Sequence, residues 1–358
     1  MKVSKKVISN LTKCYSIAPL KYNNKDYFLV AAEKVDRCIL FDLDGNEVDT
    51  VWNEPGGVMS MVQVPGSNGQ FLATHKFYSP NDSKEAKIVI VTPDSNGSWG
   101  VKTLVEIPHV HRFDIVERNG VKYIIACALK SGHEYKDDWS MPGKVYAAVL
   151  PDDLSGFDQD HQLELKIIKD SMLKNHGYYR VKEDGVDTSV ISADCGVFQF
   201  IPPAEKTGEW EIKELLNTPA SDAVLVDMDG DGEKELAVLS PFHGDQISFY
   251  KKLDGKYTKV YDYEKPAEFT HAIYGGDLCK KPAVVIGHRK AERNLIVFTY
   301  DGQKGTYQTQ IIDEDCGPAN VFHYVKDGKD IIISANRETD EVAMYTLEDA
   351  RVKRSQSA

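Results

Sequence analysis

Short alternating and apolar segments dominate the chain, and they predict β-strands throughout. One element that alternates polar and apolar positions recurs seven times, as KVSKKVISN, EVDTVWN, GVKTLVEIP, LELKIIKDS, EWEIKELLN, YTKVYDYEK and YQTQIIDED. Each copy is followed by an apolar strand, a turn, a second strand, a longer loop and a third strand such as CILFDL or KIVIVTP. A period of two is typical of half-buried strands. The sequence therefore predicts seven units of four strands.

The spacing of these units indicates the fold. Equivalent positions, found by counting back nine residues from the first turn of each unit, recur every 44 to 65 residues; they are Ser16, Ser60, His111, His176, Asp222, His271 and Ala319. Such spacing is typical of propeller blades. We predict an all-β, seven-bladed β-propeller over residues 1–350, with a polar tail at 351–358. The predicted blade starts lie near residues 14, 57, 109, 175, 220, 268 and 317.

The seventh unit has only three strands of its own, and the N-terminus carries a spare copy of the outer strand. We therefore predict that residues 3–11 pair with the strand containing Val342 to Leu347. This pairing would close the ring and leave only short, protected strand edges.

An acidic stretch, DMDGDGEKE, occupies residues 227–235. Asp227, Asp229, Asp231 and Glu235 supply oxygen atoms of the kind that calcium prefers, and the two glycines allow a tight turn. An EF-hand would need glutamate at loop position twelve, where this chain has Val238, so the EF-hand is excluded. Two alternatives stay open, a calcium loop and an acidic β-turn that binds no metal.

The segment DMDGDGEKELAVL resembles the acidic turn of FG-GAP or VCBS repeats, found in integrin-type and bacterial propellers. In that family the turn joins the first and second strands of a blade, which is its predicted place here. The resemblance covers one blade and implies calcium in the loop at 227–235. It also places the loop on the face that carries the first-to-second-strand turns.

Histidines concentrate on the predicted opposite face. Blades three to six carry His111, His176, Asp222 and His271 at equivalent positions, and His243 lies nearby. We expect the four equivalent side chains to meet at the mouth of the central channel. Neutral imidazoles with a carboxylate are a common ligand set for a divalent metal, so we predict a zinc, manganese or magnesium ion there. The alternative is that each histidine is structural.

The ends of the second strands add further polar candidates to the same face. They include His75, Lys130, His288, Arg289 and Arg337. In the predicted chemistry His75 or His288 removes a proton next to a carbonyl. The three cations would stabilise the enolate that forms.

Composition narrows the class of partner. The net charge of −12 disfavours nucleic acid, and no apolar run is long enough to span a membrane. The N-terminus has no apolar signal-peptide region, and six scattered cysteines without a CxxC pair suit a reducing compartment. No nucleophile elbow, phosphate loop or dinucleotide fingerprint occurs. We expect a cytoplasmic protein with a small-molecule ligand and without nucleic-acid or membrane partners.

These features lead to two hypotheses for function. The first is a metal-assisted lyase, dehydratase or isomerase that acts on a sugar or sugar acid. The histidine set resembles that of propeller lyases, such as the aldos-2-ulose dehydratases and oligogalacturonate lyases, which use a histidine-bound metal at this kind of mouth. The second is a non-catalytic propeller that binds carbohydrate or protein. A bound transition metal would favour the first.

Overall fold

The computed structural model describes residues 1–349, and its regular elements are 28 strands. The first fourteen are β1 (Lys2–Asn10), β2 (Cys14–Tyr22), β3 (Lys25–Ala32), β4 (Cys38–Asp42), β5 (Glu47–Trp52), β6 (Met61–Gln63), β7 (Phe71–His75), β8 (Lys87–Pro93), β9 (Trp99–Glu106), β10 (Val110–Arg118), β11 (Val121–Lys130), β12 (Pro142–Val149), β13 (Lys166–Met172) and β14 (Gly177–Glu183). The others are β15 (Val186–Ala193), β16 (Gly196–Ile201), β17 (Glu211–Leu216), β18 (Asp222–Val226), β19 (Glu235–Ser240), β20 (Gln246–Leu253), β21 (Lys256–Asp262), β22 (Thr270–Leu278), β23 (Lys281–His288), β24 (Leu295–Asp301), β25 (Thr306–Asp313), β26 (Asn320–Lys326), β27 (Lys329–Asn336) and β28 (Glu341–Glu348). The predicted tail at 351–358 lies outside the described residues.

The strands form seven antiparallel four-stranded sheets. Six sheets each consist of four consecutive strands, starting at β2, β6, β10, β14, β18 and β22. The seventh has the order β1-β28-β27-β26. The first strand of each blade contacts the first strands of its neighbours, and β26 contacts β2. The predicted seven-bladed β-propeller is therefore confirmed.

The N-terminal strand closes the ring. β1 runs antiparallel to β28, with Val3 opposite Leu347 and Ser9 opposite Val342. The amino group of Met1 also donates a hydrogen bond of 2.8 Å to the Gln310 side chain in blade 6. The predicted pairing is confirmed, and the seventh blade has its full four strands.

Apolar side chains between neighbouring blades make up the core. Between blades 7 and 1, for example, Phe28 stacks on Phe41 at 5.1 Å and both are buried with Ile333. Between blades 1 and 2, Leu29 and Phe71 are completely buried. Because each central strand is covered on both faces, segments such as FLVAA read as continuous apolar runs. This packing holds the innermost strands, and the residues at their starts, in fixed positions around the channel.

Two further features of the structure concern the cysteines and membrane-spanning helices. All six cysteines are unpaired. Among residues 1–349 there is no helix with the length and apolar character needed to cross a bilayer.

Candidate metal centre

Three blades begin with a β-bulge that aims a ring at the channel axis. In blades 1, 3 and 6 the register shifts around Tyr15, His111 and His271, which have no cross-strand partner. Bulges re-aim side chains in this way. The Tyr15 hydroxyl lies 3.3 Å from Nε2 of His111 and 3.0 Å from Nε2 of His271. The residue of blade 1 that matches the histidines is thus Tyr15 and not Ser16, a signal visible when CYS, VHR and THA are aligned.

A similar offset removes Asp222 from the predicted ligand set. His176 precedes β14, and its counterpart in blade 5 is Ser221, because each donates its amide N–H to the neighbouring strand just before the sheet pairing begins. Asp222 lies one position later, and its carboxylate accepts a 3.0 Å hydrogen bond from the amide of Ala223. Among the described residues, the structure does not bring Asp222 into the group of converging histidines.

Hydrogen bonds between blades fix the tautomers of three histidines. Nδ1 of His111 lies 3.1 Å from the carbonyl of His176, and Nδ1 of His176 lies 3.1 Å from the carbonyl of Ser221. Nδ1 of His271 lies 2.7 Å from the carbonyl of Ala319. A carbonyl only accepts, so each Nδ1 carries the hydrogen and each neutral ring keeps a bare lone pair at Nε2.

The close approach of blades 4 and 5 depends on a glycine. A Cβ on Gly177 would lie 2.6 Å from the Ser221 carbonyl oxygen and 2.6 Å from the Asp222 Cα. Any larger residue would push these strands apart. The glycine therefore permits the hydrogen bond between His176 and Ser221.

Nitrogen atoms of His176, His243 and His271 converge. One ring nitrogen from each lies within 4.8 Å of the others. Nε2 of His176 and Nε2 of His243 are buried and have no hydrogen-bond partner among residues 1–349. The single proton of the Tyr15 hydroxyl serves either His271 or His111. Lone pairs therefore outnumber donors, which is an arrangement that suits a cation.

Burial keeps these imidazoles neutral. It lowers the pKa of His176 to about 3, and it holds the pKa values of His111, His243 and His271 well below 6.5. The positive charge of Arg289 lowers the pKa of His271 further. Metal ligation needs neutral imidazole, so these rings could bind a metal without first losing a proton.

His243 is held in a stack of three rings. Its centroid lies 3.8 Å from that of Phe242 and 4.2 Å from that of Phe269. His243 and Phe269 both have left-handed backbone, with φ of 53° and 60°. Such φ values are unfavourable for a bulky residue and cluster at functional sites. His243 is also partly exposed, so it connects the buried rings with solvent.

The predicted catalytic histidines lie apart from this group. His75 packs against Trp52 at 4.8 Å, and burial lowers its pKa to about 4. His288 donates from Nδ1 to the Lys290 carbonyl at 3.0 Å and accepts at Nε2 from the amide of Asn294 at 3.1 Å. Both ring nitrogens of His288 are therefore used within its own loop. The structure does not bring either histidine to the converging rings.

The three predicted cations are bound to other groups. Arg289 and Arg337 both pair with Glu338, at 2.7 and 2.9 Å. The ammonium of Lys130 is buried, and it donates to Asn81 at 2.8 Å and to a backbone carbonyl at 3.0 Å. These contacts hold the second-to-third-strand loops together.

The acidic loop connects β18 and β19, on the face opposite the histidines. Carboxylate oxygens of Asp227, Asp229 and Glu235 lie within 4.8 Å of one another. The Lys251 ammonium pairs with Asp229, and it lies 2.6 Å from Asp231 and 3.7 Å from Glu235. One ammonium is thus shared by three of the four carboxylates that were predicted to bind calcium.

Comparisons with known proteins identify the architecture. No protein-family model matches the chain, and no curated protein matches it. Among solved structures, a streptogramin B lyase is 15% identical, with 97% of this chain and 98% of that chain covered and a TM-score of 0.56. A putative 6-phosphogluconolactonase from Bacteroides uniformis is 12% identical, with coverage of 94% and 93% and a TM-score of 0.53. The Dos1 propeller is 10% identical, with coverage of 90% and 76% and a TM-score of 0.53. At such identities the likeness shows the fold alone.

Proposed function

We propose that this propeller is a metal-assisted lyase or isomerase, with a zinc ion held by His176, His243 and His271. The observation that carries the proposal is the convergence of buried imidazole nitrogens without enough donors. Imidazole suits zinc, whereas magnesium prefers oxygen ligands, so the all-histidine group favours zinc among the three ions expected from the sequence. Three histidines and an open fourth position are the composition of a catalytic zinc site.

The bound ion would act as a Lewis acid that polarises a substrate carbonyl. The carbonyls of Ser221 and Ala319 orient the rings of His176 and His271 through their Nδ1 atoms. His111 is not part of the converging group, and its Nε2 faces the Tyr15 hydroxyl. We assign His111 as the base, in place of His75 or His288: its Nε2 would take the Tyr15 hydroxyl proton while the Tyr15 oxygen takes the proton next to the carbonyl.

The substrate class follows from the same chemistry. A proton next to a carbonyl and a leaving hydroxyl occur together in sugars and sugar acids, and we propose such a substrate. We place the activity in the cytoplasm, which is supported by the six unpaired cysteines. The streptogramin B lyase is a lyase on the same fold, and the likeness extends only to the fold.

A second candidate function is favoured by one observation. The Nδ1 hydrogen bonds of His111, His176 and His271 each join one blade to the next. Such bonds would stabilise the ring of any propeller, including one that only binds a carbohydrate or a protein. In that case the rings would hold no metal.

Hydrogen exchange separates these possibilities. The zinc-loaded protein is incubated in D2O with a panel of 2-keto and 2-hydroxy sugar acids, and NMR follows loss of the signal from the proton next to the carbonyl. We expect exchange with at least one substrate, no exchange with His271→Ala, and full exchange with the control His161→Ala, an exposed residue. Absence of exchange with every substrate, together with no zinc retained after loading, would favour the non-catalytic propeller.

A further inference from the structure

Positive side chains flank the three-ring stack of Phe242, His243 and Phe269. The ammonium of Lys174 lies 5.8 Å from the Phe242 centroid. At the other end, the guanidinium of Arg289 lies 4.6 Å and the ammonium of Lys290 5.3 Å from the Phe269 centroid. Cations over ring faces are attracted by the ring quadrupole, which keeps them near the stack.

Only one of these three cations lacks a carboxylate partner. Arg289 pairs with Glu338 at 2.7 Å, and Lys174 pairs with Asp194 at 2.9 Å. Lys290 is exposed and forms no ion pair in the part of the chain that the structure describes. Its charge is therefore available to a ligand.

The backbone of Lys290 is fixed from both sides. Its amide N–H donates to the carbonyl of Glu268 at 3.0 Å, and its own carbonyl accepts from Nδ1 of His288 at 3.0 Å. This anchoring directs the side chain over Phe269, next to His243. The buried His288 thus positions Lys290.

The charge of the centre also favours an anion. The converging histidines are neutral, and no carboxylate belongs to their group. Arg112 adds a further cation, because its guanidinium carbon lies 5.8 Å from the centroid of the Tyr15 ring. A divalent ion bound there would add positive charge to a site of low dielectric. Positive charge in such a site is costly unless an anion accompanies it.

We infer that the ligand of the histidine centre carries a carboxylate, and that Lys290 receives this carboxylate beside Phe269 and His243. The inference rests on the proposed function and specifies its substrate class, a sugar acid in preference to a neutral sugar. Lys290 is a specificity-determining residue, because it selects the charged ligand and does not touch the reacting carbon.

The test uses the full chain loaded with zinc, and malonate as the anionic probe. Isothermal titration measures malonate and neutral malonamide binding to wild type, Lys290→Met and the control Lys256→Met, an exposed lysine at the turn on the opposite face. We expect malonate to bind the wild type and Lys256→Met alike. We expect Lys290→Met to bind it roughly five-fold more weakly and with less dependence on salt. Malonamide should not distinguish the three proteins.

The zinc content of the same samples separates the two proposals. Absence of zinc from the wild type after loading would overturn the proposed function, and the anion subsite with it. Zinc at one per chain with equal malonate affinity in wild type and Lys290→Met would overturn the anion subsite alone. Equal weakening in Lys256→Met would also overturn it, because the effect would then reflect net charge.

Discussion

Replacing Lys251 with methionine should convert the acidic loop into a calcium-dependent element. The ammonium of Lys251 pairs with Asp229 and lies 2.6 Å from Asp231 and 3.7 Å from Glu235, a residue that is 1% exposed. Without it, three carboxylates repel one another. Removal of one partner from a buried pair costs about 3–5 kcal/mol. The Lys251 side chain is 24% exposed, so solvent screening reduces the expected loss to about 2 kcal/mol.

This loss is large enough to measure by thermal melting. With an unfolding entropy of about 2.1 cal/mol/K per residue, a chain of this length should lose about 3 °C in Tm. Calcium at a hundredfold excess over its Kd stabilises the folded state by about 2.7 kcal/mol and should restore the Tm of Lys251→Met. The wild type should respond little to calcium, because its site already contains a cation.

The neighbouring substitution Lys252→Met is the matched control, since Lys252 is 45% exposed and lies 3.9 Å from Glu233. It should change neither the Tm nor its calcium dependence. A rise in Tm with calcium that is equal in wild type and Lys251→Met would refute the reasoning, because the ammonium would then not occupy the cation position.

Three further predictions concern the ring, the histidines and a buried carboxylate. Deletion of residues 1–12 exposes the edge of β28 and should cost about 5 kcal/mol or more, comparable with the whole stability of many domains; unchanged melting would show that β1 contributes nothing. His111→Ala should lower the free energy of unfolding by about 2 kcal/mol, because His111 stacks on His176 at 4.4 Å and donates a hydrogen bond to its carbonyl. The His111→Ala protein should still bind metal, whereas His176→Ala should lose both stability and metal. Burial raises the pKa of Asp222 to about 7, so the folded state holds a proton that the unfolded state releases near pH 4. The free energy of unfolding, measured with urea, should therefore fall by up to roughly 4 kcal/mol as pH rises from 4 to 7, and Asp222→Asn should abolish that fall.

The architecture follows from the sequence because a blade is repeated. Seven copies of one alternating strand carry the same information, so an error in one unit does not change the fold. Ring closure was also predictable, because the N-terminal copy has no sheet of its own until it pairs with β28. Local hydrophobic periodicity and strand count were sufficient for these features.

The site was predictable only in part. His111, His176 and His271 do approach one another, but Asp222 does not join them. The acidic loop between β18 and β19 is longer than the turn between β14 and β15, so a fixed count back from the turn does not reach equivalent positions in blades 4 and 5. In blade 1 the equivalent position is Tyr15, because it lies nine residues before Asn24, just as His111 lies nine residues before Gly120, and both blades carry the same bulge.

The remaining differences arise from long-range contacts. Lys251 reaches the acidic loop from β20, and nothing in the segment 227–235 indicates that it will. The histidines were expected to line an open mouth, yet His111, His176 and His271 are 3%, 1% and 2% exposed. His176 and His271 pack against His243, with ring centroids 5.1 and 5.5 Å apart, and His111 packs against Phe77 at 5.1 Å. The hydrophobic pattern of a single strand contains no information about such contacts between different blades.

Metal content is the measurement that tests the histidine centre most directly. The protein is purified without an affinity tag, loaded with zinc and dialysed, and its metal is quantified together with that of His176→Ala, His243→Ala and His111→Ala. We predict about one zinc per chain in the wild type and in His111→Ala, with X-ray absorption showing nitrogen ligands at about 2.0–2.1 Å. We predict no zinc in His176→Ala or His243→Ala. Wild-type protein that folds normally and holds no zinc, or equal zinc in all four proteins, would contradict a metal site formed by these histidines.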